Sequence, residues 1–180
     1  QRLVSTGDDQ TVRIWEVSTR QELHCLTGHS GTIPGLAISP DGQRIASASR
    51  DDTVRLWSID GEFLAELAGH DGDVMSVAFH PAGRELATAS YDHSGRLWSL
   101  PEKGSPQEIG RLAGHTDWAF SVAYSADGGE LLSTGGDGAV LFDRQSGRSL
   151  WHAREGANLS HGVWLAGEGF ALALADGSVR

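Results

Sequence analysis

Four stretches of the chain share one pattern of apolar and polar positions. They read LVSTGDDQTVRIWE from Leu3, IASASRDDTVRLWS from Ile45, LATASYDHSGRLWS from Leu86 and LLSTGGDGAVLFD from Leu131. Each opens with a short run of apolar and small residues, turns at an aspartate, and returns as an alternating run ending in Trp or Phe. Alternation with a period of two marks a half-buried strand, and an Asp-rich turn closes a hairpin. Another strand precedes each of the last three hairpins: TIPGLAIS from Thr32, DVMSVAFH from Asp73 and WAFSVAYS from Trp118. Turns at Pro40-Asp41-Gly42, Pro81-Ala82-Gly83 and Ala126-Asp127-Gly128 join the two. After each Trp comes a fourth, outer strand: ELHCLTG from Glu22, EFLAELAG from Glu62 and EIGRLAG from Glu108.

Two independent markers give the period. His29, His70 and His115, each preceded by glycine, are 41 and 45 residues apart. Trp15, Trp57 and Trp98 are 42 and 41 apart, and Phe142 follows Trp98 by 44. A period in the forties, with four strands per unit, describes propeller blades. The fold class is therefore all-β, a propeller of four-stranded antiparallel blades. The chain holds about four to five of them, the first and last incomplete: a partial blade over 1–28, blades over 29–68, 69–113 and 114–155, and a degenerate partial blade over 156–180.

The Gly-His pair, the Ser/Thr-bearing strand, the turn aspartate and the closing Trp resemble the repeats of the WD-repeat β-propeller family. The resemblance covers residues 1 to about 143 and is weak from Ser146 to Arg180. The literal Trp-Asp pair is missing: Glu16, Ser58 and Ser99 follow the tryptophans, and only Phe142 is followed by Asp143. Propellers of this family most often have seven blades, so the resemblance implies a segment of a longer ring. Alternatives are two copies completing one ring, or a self-closed ring of four blades. Gln1 stands where an initiator Met would be and no charged-then-apolar leader follows it. This predicts a start that is not the natural one, and no signal peptide.

Composition narrows the function classes. With 24 acidic and 14 basic side chains the formal net charge is −10, opposite to what phosphate contacts require, so no nucleic-acid partner is expected. No apolar run approaches the roughly 20 residues of a membrane helix, so no membrane partner is expected, and the acidic balance suits a cytoplasmic protein. Cys25 is the only cysteine, which excludes an internal disulfide and a cysteine-based zinc site. His24, His80, His93, His152 and His161 are scattered without ligand spacing, and no metal or cofactor is expected. The GDG at Gly136–Gly138 and the GEG at Gly167–Gly169 lack the Lys-Ser/Thr of a phosphate loop and read as hairpin turns.

The set His29, Ser47, Asp51 and Trp57 contains the parts of a hydrolase triad. It recurs as His70, Thr88, Asp92 and Trp98, and a catalytic set has no reason to appear once per blade. The resemblance implies a structural network instead, in which the indole donates to the hydroxyl, the hydroxyl to His and His to Asp. The set His115, Ser133 and Asp137 ends in Phe142, which cannot donate, and has one residue fewer between Asp and the aromatic. A weaker or broken network is expected there. The first set, Ser5, Asp9 and Trp15, has no upstream histidine.

In the resembled family partners dock on the loop rim around the channel. The positions facing it are Thr32, Pro34 and Arg50 in one blade, Asp73, Met75 and Tyr91 in the next, and Trp118, Phe120 and Gly136 in the third. The scaffold does not require large groups there. Met75, Tyr91, Trp118 and Phe120 therefore form a candidate exposed cluster with Arg50 nearby, the composition of an interaction hot spot. The alternative is that Trp118 and Phe120 fold inward beneath a loop. Trp151 and Trp164 are assigned to core packing.

The leading reading is a non-catalytic interaction scaffold or sensor for protein partners. Its Pro-Asp-Gly turns and preference for Arg over Lys look like those of bacterial WD-repeat proteins. There such a propeller resembles the docking end of a longer chain bearing a kinase, signalling ATPase or protease. One rival is an enzyme or small-molecule binder using the central channel. Against it, the inner strands carry mostly small or apolar residues: Gly35, Ala37, Ser76, Ala78, Ser121 and Ala123. Another is self-assembly through open blade edges.

Overall fold

A computed structural model describes residues 1–153, 159–165 and 169–174, and every regular element in them is a strand. The first sheet contains β1 (Arg2–Thr6), β2 (Val12–Glu16) and β3 (Gln21–Leu26). The second is β4 (Gly35–Ile38), β5 (Arg44–Ala48), β6 (Thr53–Ser58) and β7 (Phe63–Ala68). The third is β8 (Val74–Phe79), β9 (Glu85–Ser90), β10 (Ser94–Ser99) and β11 (Gln107–Ala113). The fourth is β12 (Ala119–Tyr124), β13 (Glu130–Gly135), β14 (Gly138–Asp143) and β15 (Ser149–Ala153). A two-stranded sheet of β16 (Leu159–Trp164) and β17 (Phe170–Leu174) follows. Each sheet is an antiparallel meander in which sequence neighbours pair. The blade boundary expected between residues 155 and 156 lies outside the described residues, as do residues 167 and 168 of the expected GEG turn.

The sheets stand face to face in a row. The inner strands β4, β8, β12 and β16 are successive neighbours. The apolar clusters lie between sheets: Val4, Val12 and Ile14 meet Ile33, Ile45 and Trp57. Val54, Leu56 and Leu67 meet Val74, Leu86 and Trp98. Ala89 and Leu97 meet Val122, Leu131 and Phe142. A strand in the middle of a sheet is thus covered on both faces, and β9 is buried along its whole length. That explains the Ala, Ser and Thr of IASAS and LATAS: two sheets approach closely only over small side chains. One close approach is at Gly35, where a Cβ would lie 2.9 Å from both Ala48 Cβ and the Met75 carbonyl oxygen.

Trp164 packs in the last cluster with Leu132 and Phe170, and its indole donates to the Ala123 carbonyl at 3.1 Å. Trp151 departs from the expectation of core packing. It lies on the outer strand β15, 43% exposed, with its ring tilted against Phe170 at 5.6 Å between centroids. Outer strands have no neighbouring sheet over much of their length, so an aromatic there remains in contact with water.

One polar cluster crosses a sheet boundary. The Glu85 carboxylate of β9 is buried and accepts from the Tyr124 hydroxyl of β12 at 2.7 Å and from the Arg144 guanidinium just after β14. Burial alone would raise its carboxyl, yet Arg144 and Tyr124 hold it below the ordinary value. A buried carboxylate is tolerated only when so partnered. Arg144→Met leaves it with the Tyr124 hydroxyl but no counter-charge, and urea unfolding of that variant is expected to show a loss of about 2–4 kcal/mol. A midpoint equal to wild type counts against the latch.

Candidate functional site

Each hairpin turns at an aspartate followed by a residue in the left-handed region. Gln10, Asp52 and His93 have φ of 64°, 67° and 67°, and Gly138 has 119°. Polar Asn- and Asp-like residues or glycine tolerate this conformation. In the second sheet Asp51 Oδ1 accepts from the Thr53 N–H at 3.1 Å and its hydroxyl at 2.7 Å, closing the turn. Oδ2 accepts from the Ser30 N–H at 3.0 Å and from His29 Nδ1 at 2.8 Å, fastening the loop that enters the sheet. His29 Nε2 lies 2.8 Å from Ser47 Oγ, which accepts from the Trp57 indole at 2.9 Å.

The third sheet repeats this arrangement. His70 Nδ1 is 2.7 Å from Asp92 and its Nε2 is 2.7 Å from Thr88 Oγ1, to which Trp98 donates at 3.1 Å. With neutral histidine one hydrogen assignment satisfies the whole chain: indole to hydroxyl, hydroxyl to Nε2, Nδ1–H to carboxylate. A second proton on Nε2 would turn the hydroxyl hydrogen toward the Arg96 carbonyl at 3.4 Å, a longer and poorer bond. Burial lowers the His70 pKa against the opposing pull of Asp92. Burial would raise the Asp51 and Asp92 carboxyls, but their donors, led by Thr53 and Ser94, hold each at about 2.

In the fourth sheet, of the weaker or broken network expected there, the structure has the weaker one. Phe142 is opposite Leu131 just as Trp57 is opposite Ile45, so the missing residue was removed from the turn rather than from the strand. Gly135 pairs directly with Gly138. His115 remains 2.9 Å from Ser133 and 2.6 Å from Asp137, and the Thr116 N–H still donates to Asp137 at 2.6 Å. Only the indole donor is lost from the chain. In the first sheet Trp15 donates to Ser5 at 2.9 Å, and Asp9 takes Arg13 and Thr11 as partners.

Arginine two residues before each Trp is a recurring part that the sequence reading passed over. Arg13 pairs with Glu22 at 2.7 Å, Arg55 with Glu66 at 2.9 Å and Arg96 with Glu108 at 2.6 Å, bridging strand to outer strand. Arg96 is buried beneath the Gly-His loop. A Cβ at Gly28 (φ 145°) would collide with the Arg55 guanidinium, which is one reason glycine precedes that histidine. Val140 takes the arginine's place in the fourth sheet. The repeat spacing itself carried this signal.

The rim positions are clamped together by a repeated backbone bond. The Arg50 N–H donates to the Thr32 carbonyl at 2.9 Å, Tyr91 to Asp73 at 2.9 Å and Gly136 to Trp118 at 3.0 Å. Register shifts between Val74 and Ser76, and between Ala119 and Ser121, make Met75 and Phe120 the bulged residues of their strands. A bulge re-aims the side chain it carries. Trp118 stands at the surface, 50% exposed, and stacks on Tyr91 with centroids 4.8 Å apart and planes 15° from parallel. Phe120 meets the Tyr91 ring edge-on at 5.7 Å. Of the alternatives for these rings, Trp118 takes the exposed one and Phe120 is half-buried against Tyr91. Pro34 and Arg50 are exposed and Met75 half-buried, and Arg50 Nε lies 3.6 Å from Asp73. Among the described residues no group of three or more His, Cys, Asp or Glu is placed to hold a metal ion, and no helix is long and apolar enough to cross a membrane.

Comparison with known proteins adds three matches to the family described as "WD domain, G-beta repeat", at residues 20–58, 61–99 and 106–142, together more than half of the chain. The Notchless protein homolog of Arabidopsis thaliana is 48% identical over 66 residues, 36% of this chain and 14% of that protein. Human WD repeat and SOCS box-containing protein 1 is 32% identical over 144 residues, 79% of this chain and 24% of that protein. The guanine nucleotide-binding protein subunit beta of Schizosaccharomyces pombe is 37% identical over 60 residues, 33% of this chain and 20% of that protein. The chain therefore spans less than a quarter of the length of these relatives.

Two outcomes follow from the clasp. His70→Ala strands the Asp92 carboxylate and the Thr88 hydroxyl, and a denaturant melt is expected to show a loss of about 1–3 kcal/mol. Stability is also expected to fall with acidification. The His70 pKa is lowered on folding, so its contribution declines as pH drops below the ordinary histidine value of 6.5. That of Asp51 and Asp92 is complete above 3.8 and disappears as pH falls through about 2. Thermal melts from pH 7 to pH 2 measure this, and a flat profile is the contrary result.

Proposed function

This chain belongs to the WD-repeat family, and on that premise we propose that it is a non-catalytic docking scaffold or sensor whose loop face receives protein partners. The observation that carries the reading is the aromatic cluster of Tyr91, Trp118 and Phe120. It joins two neighbouring sheets on the face where the histidine clasps hold the loops rigid. Rings held in place lose little conformational entropy on binding, and tryptophan and tyrosine are the residue types that dominate interface energetics. Thr32, Pro34, Arg50, Asp73 and Met75 complete the rim on the preceding sheets. The His-Ser/Thr-Asp sets are structural in this reading. Each histidine is buried with both ring nitrogens engaged, which leaves none facing a substrate. The acidic charge fits a cytoplasmic setting, and any catalytic part belongs to a longer parent chain.

The test is a double substitution, Trp118→Ala with Phe120→Ala. Extract from the source cells is passed over wild-type and variant baits and the retained proteins are quantified. Retention is expected to fall at least tenfold, while the melting temperature stays within about 3 °C because Trp118 is already half in solvent. Identical retention by the two baits removes the loop face as the docking surface.

A further inference from the structure

The aromatic cluster does not stand in neutral surroundings. The loop of Asp71, Gly72 and Asp73 packs directly on the turn that carries Tyr91: a Cβ on Gly72 would lie 3.1 Å from the Asp92 N and 3.4 Å from the Tyr91 carbonyl carbon. The Asp73 carbonyl accepts from the Tyr91 N–H, so this acidic loop abuts the ring cluster. Asp52, on the next turn of the rim, is close enough to feel these charges. Burial, and then the carboxylates of Asp73, Asp51, Asp71 and Asp92, push its carboxyl above the ordinary value. On the other side Asp117 is exposed and adjoins Trp118, whose N–H its carboxylate accepts at 2.7 Å. The cation nearest Asp73 is Arg50 at 3.6 Å, exposed and too distant for a good hydrogen bond. A half-exposed indole next to Asp117, stacked on a tyrosine whose turn is bonded to the acidic Asp71–Asp73 loop, is complementary to a cation on two counts. The ring quadrupole attracts it over the face, and the carboxylates attract it along the edge.

Resting on the docking reading above, we infer that the loop face takes an arginine- or lysine-bearing segment of a partner protein, with one cationic side chain lying over the exposed face of Trp118 and its neighbours drawn to Asp52, Asp71 and Asp73. The outward face of Trp118 receives the cation, since its other face is covered by Tyr91. Arg50 competes for the same carboxylate as the incoming charge, so it tunes the affinity rather than supplying it. An acidic segment meets repulsion from the same aspartates, which gives the face its selectivity.

The experiment uses the full-length protein and two fluorescein-labelled peptides, Gly-Arg repeated four times and Gly-Glu repeated four times, followed by anisotropy at 0.15 M salt. The arginine peptide is expected to bind and the glutamate peptide not to. Trp118→Ala, which leaves the charge unaltered, is expected to weaken the arginine peptide about three- to tenfold. Asp52→Asn with Asp73→Asn should weaken it by a similar factor, and Arg50→Gln should strengthen it. Arginine-peptide binding that is indifferent to Trp118→Ala is diffuse attraction to an acidic protein and overturns the inference, as does a preference for the glutamate peptide. The docking reading is judged separately. If extract proteins are lost from the Trp118/Phe120 variant while neither peptide discriminates Trp118→Ala, the face docks partners of another chemistry and only the cationic assignment fails.

Discussion

Each hydrophobic core of this protein is shared between two sheets. The residues that cover one face of a blade come from the blade beside it, as Ile45 and Trp57 do for Val12 and Ile14, or Val122 and Phe142 for Leu97. A single four-stranded sheet has no interior of its own and gains stability only by stacking. Nearly everything else follows from this arrangement. The middle strands are covered on both faces and must be built from small and branched residues. The inner strands approach over glycine, alanine and serine, and charges that cross a boundary, such as Glu85, need partners supplied by the neighbouring blade.

Stacking through apolar faces fixes the spacing of the blades but not the course of the loops between them. The histidine clasp performs that second task. A loop entering a blade is attached through histidine and aspartate to the hairpin turn, and through the hydroxyl and indole to the middle strands. Because a buried polar chain is stable only when each member has a partner, the loop is held at one height above the sheet. The fourth blade shows how far the device tolerates simplification. Shortening the turn and replacing indole by phenyl removes one donor, yet the histidine keeps both of its bonds. The hydroxyl of Ser133 can still donate to the ring without receiving from an aromatic.

A rigid frame with a fixed loop height holds unlike residues at the rim, as Thr32, Asp73 and Trp118 do at one position of three blades. The aromatic cluster lies at such positions, at the first residues of an inner strand and the residue before a turn aspartate. Bulges at Met75 and Phe120 alter the direction of these side chains without disturbing the rest of the ladder.

The repeat was legible in the chain because its parts are local or periodic. Alternation between Thr53 and Trp57 specifies a strand, the Asp51 turn specifies a hairpin, and the recurrence of Gly-His sets one blade beside the next. The recurring Arg55 and Arg96 were equally readable by position, although what they contact was not. Other features belong to the folded chain alone. The stacking of Trp118 on Tyr91, the Glu85–Tyr124–Arg144 cluster and the exposure of Trp151 each depend on which blade lies beside which, and at what angle. Periodicity tells a residue which face of its own strand it occupies. Only the packed neighbour decides whether that face meets a ring, a charge or water.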